Sequence, residues 1–287
     1  MSGLKEIRNR IASVSSTMQI TNAMKMVSAA KLKKAQDSIS ATLPYSNKLS
    51  GLIQNISTSG EPLESPFFIN REIQKVLIVA ITSNKGLCGG FNSNVIKEVS
   101  KLIDTKYSSK KVEIACIGKK GGDILSKKNT LLDSYNSVYD EFSYDNVKKI
   151  AELFMEKFSG ESYDEIILVY NHSRNAATQI LTVEPYLPIE EQQEELTAKS
   201  TGDYIFEPSQ SEILNELIPK ALVVQLFKAI SDSVAGEHGA RMTAMHKATD
   251  NASELRDQLK LTYNKARQTA ITNEILEIVG GAEALNS

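Results

Sequence analysis

The sequence predicts an α/β fold combined with long helices: an antiparallel two-helix coiled coil formed by the N- and C-terminal helices, with a Rossmann-like βαβαβ domain between them. Two patterns in the 287-residue chain predict this architecture. Near both ends, apolar or small residues recur in alternating steps of three and four, which is typical of a coiled-coil seam. In the middle, short continuous apolar runs alternate with helical stretches, which is typical of a parallel sheet covered by helices. We expect an N-terminal helix over residues 1–57, an α/β domain over 73–190, a linker over 191–210 and a C-terminal helix over 211–287.

The N-terminal segment predicts one helix over about residues 3–57. Its first seam consists of Leu4, Ile7, Ile11, Val14, Met18 and Thr21. A second seam, out of phase with the first, consists of Ile20, Met24, Val27 and Lys31. The pattern resumes after Pro44, so we expect this proline to kink the helix rather than to end it.

The C-terminal segment predicts a second and longer helix, from about residue 211 to the end of the chain. Its seam consists of Ala248, Ala252, Leu255, Leu259, Thr262 and Ala266. At 1.5 Å per residue, this helix is on the order of 100 Å long, too long to be buried in its own domain. Because both seams are narrow, the two helices are expected to bury them by winding around each other.

The middle of the chain predicts a buried parallel sheet. Strands are expected over residues 75–82, 112–118 and 165–170, with helices over 92–107, 121–128 and 146–158. A further strand over residues 179–187 is expected to stop at Pro185 and Pro188, and the acidic stretch 190–202 to form an exposed linker.

Composition limits the classes of protein to consider. Hydrophobic residues make up 41% and charged residues 24% of the chain, and its net charge is −2. No run approaches the roughly 18 apolar residues that span a bilayer, and the start lacks a signal-peptide pattern, so we expect a chain that begins near Met1 and stays in the cytosol. Cys88 and Cys116 are expected to be small buried side chains rather than a disulfide or zinc site.

Charge is concentrated at the N-terminal end. Residues 1–40 contain seven lysines and arginines but only Glu6 and Asp37 as acidic residues. Such a segment either meets an acidic partner or is a solvated helix face.

A glycine-containing loop follows the first predicted strand, where a Rossmann fold would hold a pyrophosphate. The loop has the spacing G-x-x-G-G instead of G-x-G-x-x-G, and no suitably placed acidic residue follows it. We therefore interpret Gly86, Gly89 and Gly90 as a structural turn. The histidines and carboxylates form no recognisable catalytic or metal-binding pattern, so we predict no catalytic residue, cofactor site or metal site.

The C-terminal stretch 271–282 is expected to extend beyond the shorter N-terminal helix. Its apolar face is then an exposed patch that a partner encloses, unless the helix simply frays there.

These features resemble the γ subunit family of F-type ATP synthases. The resemblance rests on residues 7–14 (IRNRIASV), 20–31 (ITNAMKMVSAAK), 86–90 (GLCGG), 240–245 (ARMTAM), 248–252 (ATDNA) and 263–268 (YNKARQ), with Ile271, Thr272, Glu274, Gly281 and Ala282. They are spread from end to end, so the resemblance covers essentially the whole chain.

The resemblance implies a non-catalytic central-stalk rotor subunit. Its expected partners are the α and β subunits, the ε subunit and, through it, the δ-type stalk assembly, and the membrane c ring. Rotation inside the hexamer of α and β subunits would couple ion flow to ATP synthesis or hydrolysis. Two alternatives from other classes are a Rossmann-type nucleotide-binding enzyme with helical dimerisation arms and a filament or scaffold protein.

The resemblance also implies which residues make contacts. Contacts with β subunits are expected at Met24, Lys25, Arg241, Arg267, Gln268, Thr272, Glu274 and Glu277. Contacts with the c ring or the ε subunit are expected at Asp203, Tyr204, Phe206 and Glu207.

The sequence also departs from the family pattern. A tryptophan common before the c-ring segment is absent, and Gly236 and Gly280 stand where the family often has Ser or Ala. Chloroplast relatives carry a cysteine insertion and a transit peptide, and neither is found here. The resemblance thus implies a bacterial subunit, peripheral to the cytoplasmic face of the plasma membrane.

Overall fold

The computed structural model describes residues 2–57, 65–69, 71–176, 178–189, 207 and 210–286. Its α-helices are α1 (Ser2–Ser57), α2 (Phe91–Asp104), α3 (Lys119–Leu125), α4 (Tyr144–Ser159) and α5 (Gln210–Asn286). Its strands are β1 (Lys75–Ile81), β2 (Lys111–Ile117), β3 (Leu131–Ser134), β4 (Glu165–Ser173) and β5 (Gln179–Leu187). Short 3₁₀ helices lie at Pro66–Phe68 and Asn136–Tyr139.

The chain forms two compact units, residues 29–240 and residues 1–28 with 241–287. Both long helices contribute to both units. The predicted lengths of these helices are confirmed, and α1 continues through Pro44.

The larger unit contains a five-stranded sheet in the order β3-β2-β1-β4-β5. β1, β2, β3 and β4 are parallel, and β5 pairs antiparallel with β4. After Lys75, β1 is apolar and fully buried, because helices cover both faces of a parallel sheet. The predicted α/β class is confirmed.

Each face of the sheet has its own apolar core. One core joins the sheet to α2 and α3 through Val95, Val99 and Leu125. The other joins it to α4, through residues such as Phe154, and to the first third of α5, through residues such as Leu222 and Ile230. The beginning of α5 therefore belongs to the α/β fold.

Three details differ from the sequence prediction. The short edge strand β3 was not predicted, because four residues with two polar side chains give little apolar signal. The last strand has the predicted bounds, residues 179–187, and ends before Pro188, but it runs through Pro185 without a break, since a proline is tolerated on an edge strand and the register shifts between Ile166 and Ile167. The strand predicted over residues 165–170 is longer in the structure, where β4 extends to Ser173 and includes His172, paired with Ile180.

The smaller unit contains the start of α1 and the second half of α5. The Thr21 and Thr249 hydroxyls are 2.8 Å apart, and an Arg256 guanidinium nitrogen lies 3.6 Å from the Met18 sulfur. Position numbers fall along α1 as they rise along α5, so the two segments run antiparallel. Coiled-coil winding of the pair is consistent with these contacts.

Candidate functional site

The turn between β1 and α2 is held by its own polar groups. The Ser83 amide donates to Asn92 Oδ1 (2.9 Å), and Asn92 Nδ2 donates to Ser83 Oγ (2.8 Å) and to Cys88 Sγ (3.3 Å). Gly89 has a φ of +60°, the left-handed conformation that favours glycine. Of the three glycines predicted to form this turn, Gly89 is the one with left-handed backbone, and Gly90 caps α2.

The turn between β2 and α3 packs against the end of β1. Gly118 has a φ of +112°, and a Cβ there would overlap the Thr82 carbonyl oxygen. Thr82 Oγ1 donates to the Gly118 carbonyl (3.1 Å) and accepts from the Gly121 amide (2.9 Å). These contacts occupy the edge of the sheet at which a Rossmann enzyme binds its cofactor.

Helix α5 occupies the neighbouring part of the same edge, between β1 and β4. A Cβ on Gly236 would lie 3.4 Å from the Asn171 carbonyl oxygen and 3.4 Å from the Phe91 ring. In open α/β sheets, ligands bind where the strand order reverses, which is between β1 and β4 here. In this chain its own helix takes that position, which disfavours the dinucleotide-enzyme alternative.

A small pocket lies between α1 and α5; its cavity volume of about 10 Å³ holds about one water molecule, far less than a small-molecule site needs. It is lined by Ile39, Thr42, Leu43, Ser46, Phe227, Lys228 and Ser231. Across the described ranges, no group of three or more His, Cys, Asp or Glu side chains is arranged to hold a metal ion.

Among the described helices, none combines the length and apolar character that crossing a bilayer requires.

Burial shifts the pKa of several ionisable groups inside the α/β fold. It raises the pKa of the Cys116 thiol to about 12. It also raises the pKa of Tyr107 and of Tyr135 to about 12, with the carboxylates of Glu165 and Asp133 adding to the respective effects. Cys88 and Cys116 are both buried thiols, as predicted.

One hydrogen bond between a buried carboxylate and a half-exposed imidazole joins helix α5 to the sheet. Asp232 is 4% exposed, and its Oδ2 lies 2.7 Å from His172 Nδ1. Burial raises the pKa of Asp232, while His172 and Lys228 oppose that shift. Sequence patterns missed this pair because its members are 60 residues apart.

The predicted β-subunit contacts on α1 are partly accessible. Met24 and Lys25 are both half-buried, while the apolar residues Ile20 (60%) and Val27 (57%) are largely exposed. Arg241, by contrast, is buried, with 8% of its surface exposed. Its position is suited to supporting neighbouring side chains more than to direct contact with a partner.

The predicted contacts near the end of α5 are all exposed: Arg267, Gln268, Thr272, Glu274 and Glu277. The Thr272 hydroxyl donates to the Gln268 carbonyl of its own helix (2.9 Å). Large apolar side chains are exposed in the same stretch, namely Ile271, Ile275, Leu276, Ile278 and Val279. The helix thus continues through this stretch with its apolar residues uncovered by the described part of the chain.

The predicted contacts with the c ring or ε subunit are mostly outside the described residues. Asp203, Tyr204 and Phe206 fall there, as does the predicted linker over 190–202. Glu207 is described and exposed.

A family model described as ATP synthase matches residues 3–285 of the chain. A relative from Flavobacterium psychrophilum, named ATP synthase gamma chain, is 63% identical over 286 residues and 99% of each chain. A second protein of that name, from Flavobacterium johnsoniae, is 61% identical over the full length of both.

Solved structures are similar in fold. A chain of the Euglena gracilis mitochondrial ATP synthase, from a structure of its OSCP, F1 and c ring, has a TM-score of 0.69 at 22% identity, covering 99% of this chain and 95% of that one. A chain of the Tetrahymena thermophila mitochondrial ATP synthase, from a structure of the central stalk and c ring, has a TM-score of 0.58 at 24% identity, covering 80% and 99%. Because the family model and the relatives match almost every residue, the chain belongs to the ATP synthase gamma chain family.

Proposed function

We propose that this chain is the central-stalk rotor subunit of a bacterial F-type ATP synthase. The observation that carries this proposal is the 77-residue helix α5, whose last sixteen described side chains, 267–282, are all exposed. Exposed apolar patches on a helix mark a surface that another protein covers. The relatives are named as gamma chains, and the similar solved structures are titled as rotor and central stalk of ATP synthases.

The proposed partners follow from the same comparisons. The end of α5 and the basic start of α1 turn inside a hexamer of α and β subunits. The α/β fold lies near the c ring and the ε subunit, which connects to the δ-type stalk assembly. The subunit is peripheral, at the cytoplasmic face of the bacterial plasma membrane.

The proposed mechanism is a bias on conformational equilibria. A shaft that presents different side chains in different directions stabilises a different state of each β subunit as it turns. The coupling is reciprocal, so nucleotide binding and hydrolysis on the β subunits also drive the shaft. The shaft needs no catalytic group of its own. The sheet edge where an α/β enzyme would bind its cofactor is filled by α5 and by the two turns, which supports a non-catalytic role.

Specific residues are assigned to this contact. Met24 and Lys25 lie on α1 at the basic end and are proposed to meet an acidic loop of a β subunit. Arg267 and Gln268 are proposed to form a polar contact higher on α5, because a guanidinium pairs in bidentate fashion with a carboxylate. Thr272, Glu274 and Glu277 lie beyond them on the exposed stretch, and Arg241 supports the contact from its buried position.

Co-purification tests this proposal. An affinity tag on this chain, expressed with its neighbouring subunits, should recover α, β and ε subunits in one complex. The isolated chain should bind neither NAD nor ATP in stoichiometric amounts in calorimetric titration. Tight binding of either nucleotide, or recovery of the chain without α and β subunits, would contradict the proposal.

A further inference from the structure

Helix α5 is fastened to the β4–β5 hairpin along one face. The face consists of Leu222, Gln225, Ala229, Asp232, Gly236 and Gly239, which we call the hairpin stripe. Its spacings of three and four residues place these positions above one another on a helix. All six lie in the larger compact unit, as does the hairpin.

The first half of the hairpin stripe is held by hydrogen bonds. The Tyr186 hydroxyl donates to the Leu222 carbonyl (3.1 Å). Gln225 Nε2 donates to Glu184 Oε1 (2.7 Å) and to the Pro185 carbonyl (3.2 Å). Glu184 is itself fixed, because its other oxygen accepts from the Tyr170 hydroxyl (2.7 Å).

The second half is held by the hydrogen bond of buried Asp232 to His172 and by two close approaches. Asp232 meets His172 at 2.7 Å. A Cβ on Gly236 would lie 3.3 Å from Gln179 Cγ, and a Cβ on Gly239 only 2.5 Å from the Ala176 carbonyl oxygen. The hairpin backbone thus occupies the space that a side chain at position 239 would need.

These contacts oppose rotation of the helix about its own axis. Turning α5 by one residue, about 100°, would place a residue with a Cβ against the Ala176 carbonyl. It would also separate a buried carboxylate from its partner, which is costly in an apolar environment. Apolar packing alone would not fix the rotational position of the helix about its axis to the same degree.

On the basis of the rotor function proposed above, we propose that the hairpin stripe transmits torque between the α/β fold and helix α5. Under load, the hairpin and the stripe prevent the helix from turning relative to the sheet. Gly236 and Gly239 are positioning residues, because the absence of a side chain at these positions admits the hairpin.

The torque of single complexes tests this inference. The full chain, carrying a bead through Lys127→Cys on the α/β fold, is assembled with immobilised α and β subunits and supplied with ATP. Lys127 is exposed and lies outside the hairpin and the stripe. Torque against viscous drag on the bead must then pass through the α/β fold.

The test variant is Gly239→Ala and the matched control is Gly51→Ala. A Cβ at Gly51 meets nothing within 4 Å, so the two changes add the same methyl group to a helix with and without an obstacle. We expect Gly239→Ala to lose torque on the bead while the ATPase rate without load equals that of Gly51→Ala. Equal torque for the two variants in assembled complexes would overturn the inference, whereas a purely structural role would change only their thermal stability.

A second set of variants covers the case in which Gly239→Ala does not assemble. Gln225→Glu places two carboxylates together, and adding Glu184→Gln restores the hydrogen bond with donor and acceptor exchanged. We expect the single change to lower torque and the pair to regain it. Absence of loss or of rescue would contradict the inference, and a parent chain that never rotates would instead contradict the proposed function.

Discussion

Gly89 and Gly118 both adopt left-handed backbone conformations, with φ of +60° and +112°, but their surroundings differ. A Cβ on Gly89 would meet nothing within 4 Å, while one on Gly118 would overlap the Thr82 carbonyl. We therefore predict that Gly89→Ala costs about 1 kcal/mol, the strain of a left-handed residue alone. Gly118→Ala should cost about 3 kcal/mol or more, because steric overlap adds to the strain.

Urea unfolding of both variants measures this difference. The urea concentration at the unfolding midpoint should fall further for Gly118→Ala. The slope of the free energy of unfolding against urea concentration should be the same for both variants. Equal losses for the two variants would show that the overlap at Thr82 is relieved at no cost.

The buried thiol and phenols predict how stability depends on pH. Folding raises the pKa of Cys116 from 9.0, and of Tyr107 and Tyr135 from 10.0, to about 12. The folded chain thus holds these protons to higher pH than the unfolded chain does. Their contribution to stability is complete below about pH 9 and is lost as the pH rises towards about 12.

The free energy of unfolding, measured across this alkaline range, should fall steadily. In Cys116→Ala the decline should be shallower, because one titrating group is missing. A free energy that stays level up to pH 12 would contradict the assigned burial of these groups.

A residue's role could be predicted from the sequence only where neighbouring residues in the sequence determine it. The left-handed Gly89 was predictable from the strand-turn-helix pattern around it. Gly118 and the Asp232–His172 pair were not, because their roles come from Thr82 and from β4, which are far away in sequence. For the same reason the sequence could show Gly236 only as a departure from the family pattern, whereas the structure places the β4–β5 hairpin against it.

At the scale of elements, one polar contact defines how α1 and α5 pair in the smaller unit. The Thr21 and Thr249 hydroxyls lie 2.8 Å apart, and Thr21 is 9% exposed. If one threonine is replaced, the remaining hydroxyl can hydrogen-bond only to a carbonyl of its own helix. If both are replaced by valine, the side-chain shapes are kept and no polar group is left without its partner.

We predict a loss of about 1 kcal/mol for Thr21→Val or Thr249→Val, and less than the sum for the double variant. Thermal unfolding of the four chains in a double-mutant cycle measures the coupling. Strictly additive losses would show that the two hydroxyls do not interact.

The elements themselves were predictable to the extent that their apolar periodicity was long. Both terminal helices and the buried strands β1, β2 and β4 followed from periodicity, because many residues contribute to each pattern. β3 has four residues, and the continuation of β5 past Pro185 depends on its place at the sheet edge, which only the assembled sheet defines.

At the scale of the whole molecule, the proposed rotor couples the subunits of the enzyme, and Met24 provides a test of that coupling. Met24→Lys adds a cation at the proposed contact with an acidic loop of a β subunit, and a charge pair that forms in only some rotational states favours those states. We predict weaker coupling of ion pumping to ATP hydrolysis, with normal folding and assembly. The control is Met26→Lys, on an exposed side chain two residues further along α1.

Ion pumping per ATP hydrolysed, in vesicles containing the complete enzyme, is the quantity to compare. A Met24→Lys enzyme that pumps as efficiently as the Met26→Lys enzyme would show that position 24 does not make this contact.

The candidate contact residues could be named from the sequence only through the family resemblance. A single chain can show that Arg267, Gln268 and Glu274 are exposed, but exposure alone does not identify the protein that covers them. The apolar stretch at the end of α5 was more informative, since five large apolar side chains on an exposed helix require a cover.

Rotation is the most direct test of the central claim. With α and β subunits fixed to a surface and a bead on Lys127→Cys of this chain, addition of ATP should produce stepwise rotation in one direction. Removal of ATP should stop it. Continued ATP hydrolysis by the assembled complex with a bead that does not turn would contradict the assignment of this chain as the rotor.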